Sequence, residues 1–212
     1  MTLRRGTTAR QETQSSPEPS SYNELTAALE SADPPVRRYA ARELLRFPGA
    51  GTILLNRFKR EPENAVREAI LTSLIRLDEP SVTKELAECL RSEDTTLRNE
   101  AIEALRELAS SGDRTDSISP VVASLLVDSD PDVRIFAVNI LESMRHPEVE
   151  RWLIEVIERD PHVNVCATAV DLLCEVGTQA ACEPLLRLKE RFPSEAYVQF
   201  AADLALRRIR EI

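Results

Sequence analysis

Apolar residues recur along this chain at offsets 0, 4, 8 and 11 from a series of anchors. Val36 leads to Ala40, Leu44 and Phe47, and Val66 to Ile70, Leu74 and Leu77. Leu97 leads to Ala101, Leu105 and Leu108, and Val133 to Ala137, Leu141 and Met144. Val165 leads to Ala169, Leu173 and Val176, and Val198 to Ala202, Leu206 and Ile209. These offsets fall on one face of a 3.6-residue helix, so six amphipathic helices are predicted. The anchors lie 30, 31, 36, 32 and 33 residues apart. The long interval holds "SSGDRTDSIS" at 110–119, predicted to be a polar, turn-rich insertion.

A second apolar cluster precedes each anchor helix. It comprises Leu25 and Leu29, then Ile53, Leu54 and Phe58, then Leu86 and Leu90. The remaining three are Val122, Leu125 and Leu126, then Trp152, Leu153, Val156 and Ile157, then Leu185, Leu186 and Leu188. Each unit therefore reads as helix, tight turn, helix. Six such units at 21–48, 49–78, 79–110, 117–145, 146–177 and 178–212 give one all-α repeat domain, 21–212, that must stack to bury both faces of each pair. In the turns, Asp33, Asp94, Asp130 and Asp160 stand where helix N-caps are wanted. Pro34, Pro62, Pro131 and Pro161 suit a first helical turn, where a missing N–H costs nothing.

Composition agrees with helices: Ala, Leu, Glu and Arg dominate, while 5 Gly and 4% aromatics are too few for a β-sandwich of 212 residues. The net charge of −9 argues against a general nucleic-acid binder. No apolar run reaches the length of a membrane span, and 1–20 has neither an apolar core nor the side chains to order it, so a flexible tail rather than a secretory signal is expected. A transit peptide stays open for that stretch. Charge is uneven: residues 30–60 carry a net +4 and residues 61–212 a net −13. A basic head on an acidic body is either a solvated surface or a polarised docking surface.

Catalytic chemistry finds little support. There is no Gly-rich phosphate loop and no Ser-His-Asp set. Cys89, Cys166, Cys174 and Cys182 show no C-x-x-C pairing and read as reduced thiols in a cytoplasm. His162 lies four residues before Cys166, but the spacing to Cys174 and Cys182 matches no compact zinc module, and small hydrophobes is the better reading of these thiols. Trp152 sits between Val149 and Val156 at helical spacing, which favours a core position over a ligand platform. Offsets 2 and 6 of the anchor helices point off the apolar stripe. They hold Arg38 and Arg42, Glu68 and Thr72, Asn99 and Glu103, Ile135 and Asn139, Ala167 and Asp171, and Phe200 and Leu204. Apolar Ile135, Phe200 and Leu204 on that polar row mark a binding spot, with end-cap packing or dimerisation as the rival reading for the last two.

The phrases Asp33-Pro34-x-Val36-Arg37, Asp94-x-x-Leu97-Arg98 and Asp130-Pro131-x-Val133-Arg134, with Val66-Arg67, resemble HEAT repeats, particularly the short HEAT-like repeats first named from phycobilisome lyases. The resemblance covers about 21–212 and implies a right-handed α-solenoid whose second helices line the concave side. It implies an Asp–Arg ladder between repeats, here Arg37, Arg67, Arg98 and Arg134 with Asp33, Asp94 and Asp130. Cys166 and Gln199 occupy the Arg position in the last two units, so a break in the ladder is expected there. Neither His146 nor His162 is followed by Glu, unlike the iron-binding pairs of HEAT-like hydroxylases. The run "HPEVERWLIEVIERDPHVNVCATAVDLLCEVG" looks like stretches of bacterial HEAT-repeat proteins of chemosensory and two-component signalling. The expectation is a non-catalytic cytoplasmic scaffold or adaptor for protein partners, without metal, cofactor, nucleic acid or membrane insertion. Its alternative is a bilin-lyase-like or other cofactor-handling HEAT-repeat protein.

Overall fold

The computed structural model describes residues 21–111 and 115–211, with the backbone alone at 115–117; the expected tail at 1–20 lies outside the described residues. Among the described residues twelve α-helices follow one another as six pairs: α1 (Tyr22–Ala28) with α2 (Pro34–Glu43), α3 (Gly51–Phe58) with α4 (Asn64–Leu77), and α5 (Pro80–Glu88) with α6 (Thr95–Ser110). Then come α7 (Thr115–Leu125) with α8 (Pro131–Leu141), α9 (Val149–Arg159) with α10 (Val163–Val176), and α11 (Cys182–Arg191) with α12 (Ala196–Glu211). The pairs stack into an α-solenoid, with no strand among the described residues. The segment 110–119 is less of a turn than its composition suggests: Ser110 ends α6 and 115–119 already belong to α7, leaving 112–114 outside the described residues.

The second helices form a continuous layer, α2 on α4, α4 on α6, and so on to α10 on α12. Close approach is possible because offset 4 is a fully buried alanine in five units: Ala40, Ala101, Ala137, Ala169 and Ala202, each 0% exposed. Offset 8 is a buried leucine in all six, from Leu44 to Leu206. In the first-helix layer α3 packs on α5, α5 on α7 and α9 on α11, whereas α7 and α9 stand apart. No described helix is long and apolar enough to cross a membrane.

The periodic pattern over-assigns burial toward the ends of the stack and at the end of α10. Val36 (38% exposed), Val176 (42%) and Leu186 (45%) face water. Val36 lies in the first unit, Val176 is the final residue of α10, and Leu186 is in the last unit; at these places the stack has less to cover them. Phe47, Leu77 and Leu97 are only half-buried.

The turn residues also divide. Asp94 caps α6 by accepting from the Thr96 and Leu97 amides, and Asp130 caps α8 by accepting from Asp132 N–H. Asp33 makes no side-chain cap bond. Prolines fill the first two positions of α2, and the next amide, Val36 N–H, donates to the Asp33 carbonyl, so no free donor is left for the carboxylate. Pro62 and Pro161 lie outside their helices, ahead of the N-cap residues Glu63 and His162, and Asp160 is accordingly not the N-cap of α10.

Two caps cross between units. The Glu79 carboxylate, at the start of α5, accepts from Gly49 N–H (2.8 Å) and Gly51 N–H (3.3 Å), closing the open amides at the start of α3. Gly51 is required by that approach: a Cβ there would lie 2.4 Å from Val82 Cγ2 and 2.5 Å from Glu79 Oε2. In the same manner, Glu150 of α9 accepts from the Thr178 amide (2.6 Å) and hydroxyl (3.1 Å) ahead of α11.

Candidate protein-docking face

Each ladder arginine performs a local task. One guanidinium N–H bonds the backbone carbonyl six residues earlier: Arg37 to Ser31 (2.9 Å), Arg67 to Glu61 (3.1 Å), Arg98 to Ser92 (2.8 Å) and Arg134 to Asp128 (2.8 Å). This closes the turn on its own helix. The rest of the guanidinium reaches the following unit, where the acids are not Asp33, Asp94 or Asp130. Arg37 donates to both oxygens of Glu61 (2.9 and 2.6 Å) and Arg134 to both of Asp160 (2.6 and 3.0 Å). Arg67 pairs with Glu100. Arg98 finds no acid among the described residues and stands 5.9 Å from the centre of the Phe136 ring.

Glu61 is the most enclosed of these acids, 1% exposed. Burial alone would raise its carboxyl; hydrogen bonds from Arg37 and Arg57, with the Glu63 amide, outweigh burial and hold it at about 2. Glu61 and Asp160 share a pattern that sequence reading missed. Each is followed by proline, accepts from the amide two residues on (Glu63, 3.1 Å; His162, 2.8 Å) and precedes its anchor valine by five residues. The capping aspartates precede theirs by three.

The ladder changes hands in the last two units without simply breaking. Cys166 fills the arginine slot of the fifth unit, and Arg191 from α11 replaces the missing guanidinium. It donates to Asp160 O (2.7 Å), the carbonyl six residues before Cys166, to Glu158 O (2.5 Å), and to Cys166 Sγ (3.0 Å). Gln199 does the turn-closing work in the sixth, donating to Phe192 O (3.0 Å) and Lys189 O (2.9 Å). The carbonyl-binding function survives, but without an arginine at offset 1 neither unit makes the Arg–acid pair of the earlier ones among the described residues.

The row at offsets 2 and 6 lies on the second-helix layer. Arg38, Arg42, Glu68, Asn99, Glu103, Asp171, Phe200 and Leu204 are exposed, and Ile135 and Asn139 half-buried. The basic head is largely spent within the fold. Arg37 and Arg57 hold Glu61, Arg57 and Arg60 hold Glu30, Lys59 holds Glu85 (2.8 Å) and Arg46 holds Glu43 (2.8 Å). Of the seven cations at 30–60, Arg38 and Arg42 alone have no acid among the described residues, one turn apart on α2. At the other end of the layer, Phe200 (66% exposed), Tyr197 (56%) and Leu204 (45%) follow one another along α12. The Tyr197 hydroxyl donates to Asp171 (2.8 Å), which ties this apolar strip to α10.

The sulfur and imidazole groups disperse. Cys174 faces Ala201 O (3.5 Å) and Cys182 faces Gln179 Oε1 (3.6 Å). No three His, Cys, Asp or Glu side chains converge among the described residues. Burial pushes the Cys166 thiol up to about 11 against the pull of Arg191. Trp152 is not a full core residue: it is half-buried, stacked on His146 with ring centres 5.2 Å apart, and it lines a cleft beside α7.

No curated protein matches the sequence. Among solved structures, a HEAT-like repeats protein from the archaeon Thermococcus onnurineus NA1 is similar at 16% identity and TM-score 0.49, over 90% of this chain and 87% of that one. Human deoxyhypusine hydroxylase is similar at 18% and 0.47, over 90% and 74%. The CpcE–CpcF complex of phycocyanin lyase from Nostoc sp. PCC7120 is similar at 16% and 0.36, over 97% and 99%. The family profile for HEAT repeats matches residues 22–106, 51–125 and 118–207, nearly the whole described chain. With the helix pairs, the turn-closing arginines and this match together, the chain belongs to the HEAT-repeat family.

Proposed function

We propose that this protein is a non-catalytic scaffold that docks protein partners on its second-helix layer, in the cytoplasm and in the service of signalling proteins. One observation carries the reading: Arg38 and Arg42 are the two cations of 30–60 that have no acid among the described residues, and they stand exposed on the same layer that ends in Tyr197, Phe200 and Leu204. A partner laid along this face meets positive charge at one end and apolar surface at the other. Charge sets approach and register, and the aromatic end supplies desolvated contact area. The signalling assignment rests on the resemblance of the 146–177 stretch. No metal or cofactor is part of this reading.

The test is an affinity pull-down from the native host, followed by titration of the captured partner. Arg38→Glu with Arg42→Glu is expected to weaken binding at least tenfold, more steeply at low salt, and Phe200→Asp to weaken it comparably at any salt. All three positions are exposed, so the helical circular-dichroism signal should remain. Unchanged partner affinity in both variants would overturn the docking face. A stoichiometric metal or chromophore in the purified protein would overturn the scaffold reading itself.

A further inference from the structure

On the opposite layer, where α7 and α9 stand apart, the stack opens into a cleft of about 530 Å³. Leu126 and Val127 form one wall, and Trp152 and Val156 the other. Val127 is 80% exposed, the most exposed large apolar side chain among the described residues. The indole of Trp152 is held by its stack on His146, so that wall is fixed before anything binds.

The charges around the cleft are nearly all matched. Arg134 is bound to Asp160, Asp128 to Arg91, and Arg151 to Glu148 and Glu155. Arg159, exposed at the end of α9, has no acid and no hydrogen-bond acceptor among the described residues. The cleft thus presents apolar walls, one rigid aromatic ring and one unmatched positive charge. Its volume is that of an ordinary small-molecule site, and it is confined to one junction between units instead of running along the stack as a polypeptide groove would.

We propose that this cleft binds a small aromatic molecule bearing a negatively charged group, its ring body between Val127 and Trp152 and its anion at Arg159. The function is separate from partner docking on the second-helix layer, and its test does not depend on that docking.

Trp152 is the single tryptophan, so its emission reports this cleft and no other. The probe is the anionic dye anilinonaphthalene sulfonate, titrated into the full chain. Saturable quenching of Trp152 with sensitised dye emission is expected, at one dye per chain. Arg159→Glu should weaken it about tenfold, roughly 1.4 kcal/mol, and Val127→Asp should abolish it. Arg76→Glu, the same charge change at an exposed position of α4, should leave it unchanged. The uncharged dye N-phenylnaphthylamine should bind at least tenfold more weakly than the anion. Equal binding of the neutral dye, or equal loss in the Arg159 and Arg76 variants, would overturn the anion assignment. Absence of energy transfer, or loss on Phe200→Asp but not on Val127→Asp, would overturn the cleft. Circular dichroism confirms folding; should Val127→Asp unfold the chain, the Arg159 comparison and the neutral dye still decide.

Discussion

Shortly ahead of the anchors, an acid followed by proline occurs at Asp33, Glu61, Asp130 and Asp160, and the dipeptide has more than one use. Three residues before the anchor it belongs to a helix start; five residues before, it receives the arginine of the preceding unit. Periodicity made the arginines and anchors legible. The acids were not, because the same two letters serve in both registers and Glu100 receives Arg67 from within a helix. Arg191 was illegible for a related reason: a guanidinium arriving from another helix leaves no mark at the position it serves. The Glu61 pair makes stability depend on pH. Its carboxyl titrates at about 2 in the fold against about 4.5 when free, so its contribution is complete above about 4.5 and is lost as pH falls toward 2. Urea melts between pH 2 and 7 should show this loss. Glu61→Gln should cost about 3 kcal/mol at neutral pH and remove that part of the acid slope. At Cys166, a buried thiol held protonated predicts slow alkylation: iodoacetamide at pH 8 should label half-buried Cys182 well before Cys166, read by peptide mass spectrometry. Equal rates would mean that the turn held by Arg191 opens readily.

At the scale of the element, the helices were legible wherever offsets 4 and 8 are Ala and Leu, since those positions are buried from both sides. Their ends were less so. Val36, Val176 and Leu186 stand in apolar clusters of the sequence, but what covers a residue at the end of an element or of the stack is set by the neighbouring unit, which a periodic pattern does not encode. The start of α3 shows the same dependence. Gly51→Ala should destabilise by about 1–3 kcal/mol, because its Cβ would collide with Val82 and Glu79 from the next unit. At Gly49 the neighbourhood is open and only the positive φ of 89° opposes a side chain, so Gly49→Ala should cost about 1–2 kcal/mol. Thermal melts of the two variants separate the steric from the conformational effect.

Across the whole molecule, the six units are alike in outline and unlike at their joints. Junctions one and four are held by buried arginine–carboxylate pairs, the third by the more exposed pairs Arg91–Asp128 and Arg106–Glu142 with Arg98 near a ring, and the fifth by two carbonyls of the fifth unit gathered onto Arg191. Stability in such a stack is a sum of unit and neighbour terms, so protection should vary along it. Native-state hydrogen exchange is expected to be slowest in α10 and α12, which pack most extensively on each other, and fastest in seven-residue α1 at the end of the stack. Uniform protection from α1 to α12 would contradict this. The docking row was legible as a row, but its two free arginines emerge only once the pairing of the other five is seen. The Glu79 contact has a consequence for the making of the protein. A chain leaves the ribosome in one direction, and the amide of Gly51 receives its partner 28 residues later. The second unit therefore leaves the ribosome before the group that completes it. A nascent chain arrested with α3 emerged but Glu79 still inside the exit tunnel should hold α3 frayed at its start, and one arrested after α5 has emerged should hold it closed.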